Sequence, residues 1–189
     1  MNIIIINFLI IILKMERILK EFKDIIKNPI VNCGMTLGLF NEDDVRNWRV
    51  SILGPKDSSY KGGLFYLSVH FPIDYPDKPP EICFITPIYH VNINPKAKKF
   101  EGGDPLGYVC MSKLFWWKKE YTMREILTNI FALFYLGNGD SCYDIERANE
   151  FKNNRMLYEE KVKIFTKKYA APMKGFKMYP LDQDWDFSL

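Results

Sequence analysis

Apolar side chains between Glu16 and Lys27 fall at Ile18, Leu19, Phe22, Ile25 and Ile26, the spacing of one buried helical stripe. Arg17, Lys20 and Lys23 lie off that stripe on a solvated face, and Asn28 and Pro29 supply the stop. The period then changes. Short β-type runs, Trp48 to Leu53, Leu64 to Phe71 and Glu81 to Thr86, are separated by the turn-rich stretches GPKDSSYKGG and PIDYPDKPP. In the central run Phe65, Leu67, Val69 and Phe71 alternate with Leu64, Tyr66, Ser68 and His70. One face is wholly apolar, and a helix must cover it.

Residues 87–121 lose steady periodicity and carry Pro87, Pro95, Gly102, Gly103, Pro105 and Gly107. A structureless stretch of that length inside a compact domain is uncommon and often carries function. Periodicity returns at Thr122, where T-M-R-E places Glu125 as the partner of a hydroxyl N-cap. Ile126, Leu127, Ile130, Phe131 and Phe134 form the buried side of that helix, and Gly137 ends it. Beyond the LGNGDSCYD loop a helix over Ile145 to Lys152 leads to another from about Arg155, with Tyr158, Val162, Phe165 and Tyr169 on one side. Pro172 closes the regular part. The pattern predicts one α+β domain.

The apolar run Ile3 to Leu13 stands apart. It is long enough for a signal-peptide core but falls short of the roughly 20 residues that span a bilayer. No basic segment precedes it and Lys14, Met15, Glu16 and Arg17 follow in place of a small-residue cleavage site. It reads either as a signal or membrane anchor, or as an extension or early start before Met15. The expected organisation is therefore an extension over 1–14, a core over 15–172 and a tail over 173–189.

With 189 residues, 48% of them apolar, the chain can build a core, and disorder is excluded as its main state. Twenty-six Lys and Arg against 23 Asp and Glu give no electrostatic case for a nucleic-acid protein. Cys33, Cys83, Cys110 and Cys142 form no CxxC pair and have only His70 and His90 for company, so no metal site and no cofactor is expected. Sparse, unpaired cysteines suit a reducing compartment, which points to the cytoplasm or nucleus, with the Ile-rich run leaving a membrane or secretory route open.

Phosphate-loop, dinucleotide-binding, HExxH and GxSxG signatures are all absent. The aromatic cluster Phe115, Trp116 and Trp117 lacks a basic frame and reads as core or as partner contact rather than as a base-stacking platform. Among the thiols, Cys83 alternates within ICFI as a core residue, Cys33 lies in a connector and Cys142 in a polar loop. Cys110 ends the irregular segment, in the partly exposed setting that functional cysteines favour.

RILKEFKDIIKNP in the first helix, W-x5-GP-x-DSSYKGG from Trp48, HFPIDYPDKPP from His70, IYHVNIN from Ile88 and GYVCM around Cys110 together resemble the ubiquitin-conjugating enzymes. The likeness runs from about Glu16 to Ala170. It implies a four-stranded antiparallel β-meander packed on a central helix, with an N-terminal helix and C-terminal helices. It also implies that Cys110 takes ubiquitin or a ubiquitin-like protein as a thioester and passes it to a lysine amine, usually with a ligase.

Where that family has His-Pro-Asn, this chain has His90, Val91 and Asn92. By resemblance Asn92 steadies the oxyanion or the active-site loop. An amide aimed at a developing oxyanion is worth about 10² to 10³ in rate, so its loss is expected to hurt catalysis more than folding. His90 reads as a tie between loop and backbone rather than as a general base. The stretch GNGDSCYDIERA places Asn138, Asp140 and Ser141 at the family's acceptor gate, loop capping being their plainer role.

The partners implied are the modifier, substrate lysines, an ATP-dependent activating enzyme docking on the first helix through Arg17 and Lys20, and a ligase. Several departures bear on the ligase. Asp77 stands where relatives often carry an aromatic or apolar residue, and Lys118, Lys119 and Glu120 replace Ser-Pro-Ala. The stretch PKAKKFEGGDPLGY lengthens the path from Asn92 to Cys110 and carries Lys96, Lys98 and Lys99, read either as a steering patch or as a solvated insertion. The rival function is a non-catalytic relative that binds ubiquitin or a ligase. A thiol oxidoreductase would want a resolving cysteine two residues from Cys110, and there is none.

Overall fold

The structure is a computed structural model, and it describes residues 3–95, 107–140, 142, 144–174 and 176–178. Strands β1 (Met35–Leu39), β2 (Asn47–Leu53), β3 (Leu64–His70) and β4 (Glu81–Phe84) form the expected antiparallel meander. Two short strands, β5 (Ile93–Asn94) and β6 (Gly107–Val109), extend it to six in the order β1-β2-β3-β4-β6-β5. Helix α1 (Ile3–Lys27) precedes the sheet; α2 (Ser112–Phe115), α3 (Met123–Leu133), α4 (Ile145–Asn153) and α5 (Arg155–Tyr169) follow it.

Alternation in the central strand holds as expected. Phe65, Leu67, Val69 and Phe71 are all at most 1% exposed. Two helices cover that face. From α3, Ile126, Leu127 and Ile130 are fully buried, and Phe134 just beyond its end meets Phe65 edge-on at 5.2 Å. From α1, Phe22 meets Trp48 of β2 edge-on at 5.1 Å. The Thr122 hydroxyl accepts from the Glu125 N–H while the Glu125 carboxylate accepts from the Thr122 N–H, so the capping box starts α3 where its sequence signature lies.

Boundaries differ from expectation in four places. The backbone of α1 is helical from Ile3, so the apolar run and the amphipathic stripe share one helix instead of meeting at Glu16. β4 ends at Phe84 because the Ile85 and Thr86 N–H groups both turn to the Tyr66 carbonyl, and the Thr86 hydroxyl accepts from the Tyr66 N–H at 2.9 Å. α3 ends at Leu133, and a tighter turn, with Tyr135 and Leu136 both bonded to the Ala132 carbonyl, carries the chain on to Gly137. β1 lies in the connector. Its Gly38 admits Met178 of the tail, against which a Cβ would stand 2.6 Å away.

The tail crosses the outer face of the sheet. Phe176 packs on Tyr66 with ring centroids 4.2 Å apart, and Arg49 lies between Phe40 and Phe176. Among the described residues no helix is long and apolar enough to cross a membrane.

Glu21 joins α1 to the rest. Its carboxylate accepts from Arg17 Nε at 2.9 Å, from the Tyr75 hydroxyl at 2.8 Å and from the Met123 N–H at 2.6 Å, the last an otherwise orphan donor of the first turn of α3. Replacing it strands three donors at once. Glu21→Leu is expected to lower stability by about 3 kcal/mol in urea denaturation, several times the effect of Lys20→Leu on the exposed face of the same helix.

Candidate active site

Residues Ile88 to Ile93 are all buried although only Ile93 lies in a strand. Buried backbone that is not in a ladder must find other partners. The Tyr60 hydroxyl donates to the Tyr89 carbonyl at 2.9 Å, and the Val91 N–H donates to the Tyr158 hydroxyl at 3.0 Å. His90 contributes both ring nitrogens. Nδ1 accepts from the Asn92 N–H at 2.9 Å, which leaves Nε2 as the protonated nitrogen, and it donates to the Leu133 carbonyl at 2.8 Å. Burial pushes the imidazole down to about 4, so it is neutral in the fold at physiological pH.

Val91 deserves comparison with the proline it replaces. A proline there would bring no N–H into the interior, whereas valine brings one. The hydroxyl of Tyr158, itself 3% exposed, satisfies it.

Asn92 is 2% exposed and is a hub. Its backbone carbonyl accepts from the Cys110 N–H at 2.8 Å. Its carboxamide is aligned with the backbone of Asn138: Nδ2 donates to the Asn138 carbonyl at 2.9 Å and Oδ1 accepts from the Asn138 N–H at 2.7 Å. Through its side chain and its main chain, this one residue ties the loop that follows α3 and the backbone of Cys110 to the same point. Both side-chain bonds tie the carboxamide to the loop after α3.

Cys110 follows β6 and is half-buried, as is Cys142, whereas Cys33 and Cys83 are buried. Burial pushes the Cys83 thiol up to about 12, in keeping with a packing residue. Cys110 is the accessible thiol whose own backbone is bonded to Asn92.

Asn138 and Asp140 sit together, the Asp140 N–H donating to the Asn138 side-chain oxygen at 2.9 Å. The Asp140 carboxylate is 86% exposed and meets Lys152, from the last turn of α4, at 2.5 Å. Lys152 has no periodicity or motif to mark it in the sequence, and neither has Tyr158 beyond its place on the apolar side of α5. Ser141 and the insertion lysines Lys96, Lys98 and Lys99 lie outside the described residues.

The surfaces expected to meet partners also resolve into parts. Arg17 is held by Glu21 and donates to the Tyr121 carbonyl at 3.0 Å, while Lys20 is exposed. Asp77 pairs with Lys14 at 3.2 Å, and Lys118, Lys119 and Glu120 are exposed. The aromatic cluster divides: Trp117 donates to the Pro76 carbonyl at 2.7 Å and packs on Tyr75, whereas Phe115 and Trp116 are 78% and 71% exposed.

A family model described as ubiquitin-conjugating enzyme matches residues 17–166, most of the chain and all of the site just described. The chain belongs to the ubiquitin-conjugating enzyme family. Its members act in the ubiquitin conjugation pathway, and their usual partners are ubiquitin, an activating enzyme and ligases. Within this ubiquitin-conjugating enzyme fold, no group of three or more His, Cys, Asp or Glu side chains among the described residues is arranged to hold a metal ion.

Two expectations follow. An unfolded His90 binds a proton near pH 6.5 and the folded one only near 4, so between those values unfolding takes up a proton and stability falls as pH falls. The His90 contribution lost over that window is about 3 kcal/mol, and His90→Gln should flatten the slope relative to the parent in urea titrations from pH 7 to 4. Second, Tyr158→Phe orphans the Val91 N–H and should cost about 1 to 3 kcal/mol in the parent. In a Val91→Pro background, which has no such donor, the same change should cost about 1 kcal/mol less, measured as a double-mutant cycle.

Proposed function

We propose that this chain is an active conjugating enzyme in which Cys110 carries ubiquitin or a ubiquitin-like protein as a thioester. The observation that carries the reading is the Asn92 hub. A half-exposed thiol and the loop expected to receive the acceptor are joined through one buried residue, whose main-chain carbonyl holds the Cys110 N–H and whose carboxamide holds the Asn138 backbone.

In loading, the Cys110 thiolate attacks the thioester carbonyl carbon presented by an activating enzyme, and that enzyme's thiolate leaves. In transfer, the acceptor nitrogen attacks the new thioester, the carbonyl oxygen gathers negative charge, and Cys110 Sγ leaves as the amine sheds its proton. The thioester supplies the driving force, so the protein's task is placement, amine deprotonation and support of the oxyanion. Asn92 steadies the site, the neutral His90 positions Asn92, and Asp140 with Ser141 forms the acceptor gate. His90 is thus a positioning residue in this reading, since both its nitrogens are bonded to backbone.

Residues 15–172 form the conjugating core, with 1–14 an extension and 173–189 a tail. The activating enzyme docks on α1 mainly through exposed Lys20, because Arg17 is drawn into the Glu21 cluster. A ligase meets Asp77, Lys119 and Glu120, and the exposed Phe115 and Trp116 add apolar area close by. These charged positions favour a ligase surface of different chemistry from an apolar pocket. The reducing interior of the cell suits the free thiols.

Incubation with an activating enzyme, ATP and a panel of tagged modifiers is expected to give one adduct that reductant cleaves. Cys110→Ser should convert it to a reductant-resistant ester or abolish it. An adduct of unchanged reductant sensitivity on the Ser variant overturns the assignment. Failure of every modifier to load the parent favours the non-catalytic binding role.

A further inference from the structure

An amine of the chain itself lies against Asp140. Lys152 stands at the end of α4, and its aliphatic stem lies across Gly139, where an added Cβ would come within 2.9 Å of Lys152 Cε and 3.1 Å of its Cγ. Its ammonium reaches the Asp140 carboxylate at 2.5 Å. Gly139 is buried beneath the stem, so the lysine is seated along the loop rather than waving from it. Asp140 donates its N–H to Asn138, whose backbone is held by the Asn92 carboxamide, and the Asn92 main-chain carbonyl holds the Cys110 N–H.

We propose that Lys152 is an internal occupant of the acceptor gate, a cation that holds Asp140 until an incoming lysine amine displaces it. The inference rests on the reading of Cys110 as the thioester site and of Asp140 as part of the gate. A carboxylate at the gate gives an incoming ammonium a place to dock and a group to take its proton. Here that carboxylate is satisfied by a group of the same chemistry, so acceptor and Lys152 compete. Both members of the pair are substantially exposed, with side chains 44% and 86% accessible, which makes the pair weak enough to exchange. Lys152 is thus a positioning and selectivity residue. It disfavours free amines that bring only a charge and favours acceptors delivered with further contacts.

The test uses the full chain loaded with its modifier, the activating step then quenched, and thioester loss followed against free lysine concentration. Lys152→Met keeps the stem over Gly139 and removes the charge. It should lower the lysine concentration for half-maximal discharge about two- to fivefold, the range an exposed ion pair supplies, with little change in the limiting rate. Lys152→Arg should remain like the parent. The difference between parent and Lys152→Met should narrow in roughly 1 M salt. In an Asp140→Asn background Lys152→Met should have no effect. Equal half-maximal concentrations for parent and Lys152→Met, or a fall in limiting rate alone, overturn the proposal while leaving the thioester assignment standing. A parent chain that never loads overturns that assignment and this inference with it.

Discussion

Backbone polar groups cannot be left unpaired in the interior, and the segment from Ile88 to Ile93 sets that requirement where no regular ladder meets it. Tyr60 from the loop after β2 and Tyr158 from α5 meet its backbone, while its own His90 and Asn92 side chains reach Leu133 at the end of α3 and Asn138 in the loop beyond. Satisfying one short irregular stretch therefore brings together four regions that share no secondary structure. Cys110 is held at its edge by the Asn92 carbonyl. The sheet and helices supply the framework, but this stretch makes their relative placement matter for chemistry.

Such a network has consequences for how substitutions read out. A typical bond within it adds about 1 kcal/mol net, while orphaning a buried member costs about 1 to 3 kcal/mol. A change at His90 or Asn92 disturbs folding and site geometry together, because each bonds backbone on two sides. The expectation that losing Asn92 hurts catalysis more than folding therefore sits against a carboxamide that both fixes a loop and is 2% exposed. In the proposed reaction loading uses no acceptor gate and discharge does, so the two rates separate these contributions better than stability alone.

Much of the framework was legible in the sequence because its signals are local. Alternation in residues 64–71, the capping box at Thr122 and the stripe of α1 each follow from side chains within a few positions of one another. β1 was not legible, since five residues containing Gly38 carry too short a pattern, and its role depends on β2 beside it and Met178 above it. β5 and β6 are only two and three residues long and exist through pairing across the insertion. At the site, the family motif raised the expectation of His90, Asn92, Cys110 and the gate, and the structure bonds Asn92 to both His90 and Cys110. The motif could not point to Tyr158 or Lys152, whose parts depend on where α4 and α5 lie in space. Arg17 shows the converse: a basic residue off the apolar stripe read as solvated, yet Glu21 and the Tyr121 carbonyl draw it inward.

Order in the site decreases outward along one chain of bonds. Nearest Cys110, Asn92 is buried and its carboxamide is bonded at both ends to the Asn138 backbone, which fixes its geometry. One step out, the bond from the Asp140 N–H to the Asn138 side chain is exposed. At the rim, the carboxylate of Asp140 is 86% exposed and its ion pair exchanges at small cost. The proposed transfer would use this gradient: rigidity at the rim would exclude acceptors, and looseness at the centre would misplace the attacking nitrogen relative to a thioester carbon that must be approached along one direction.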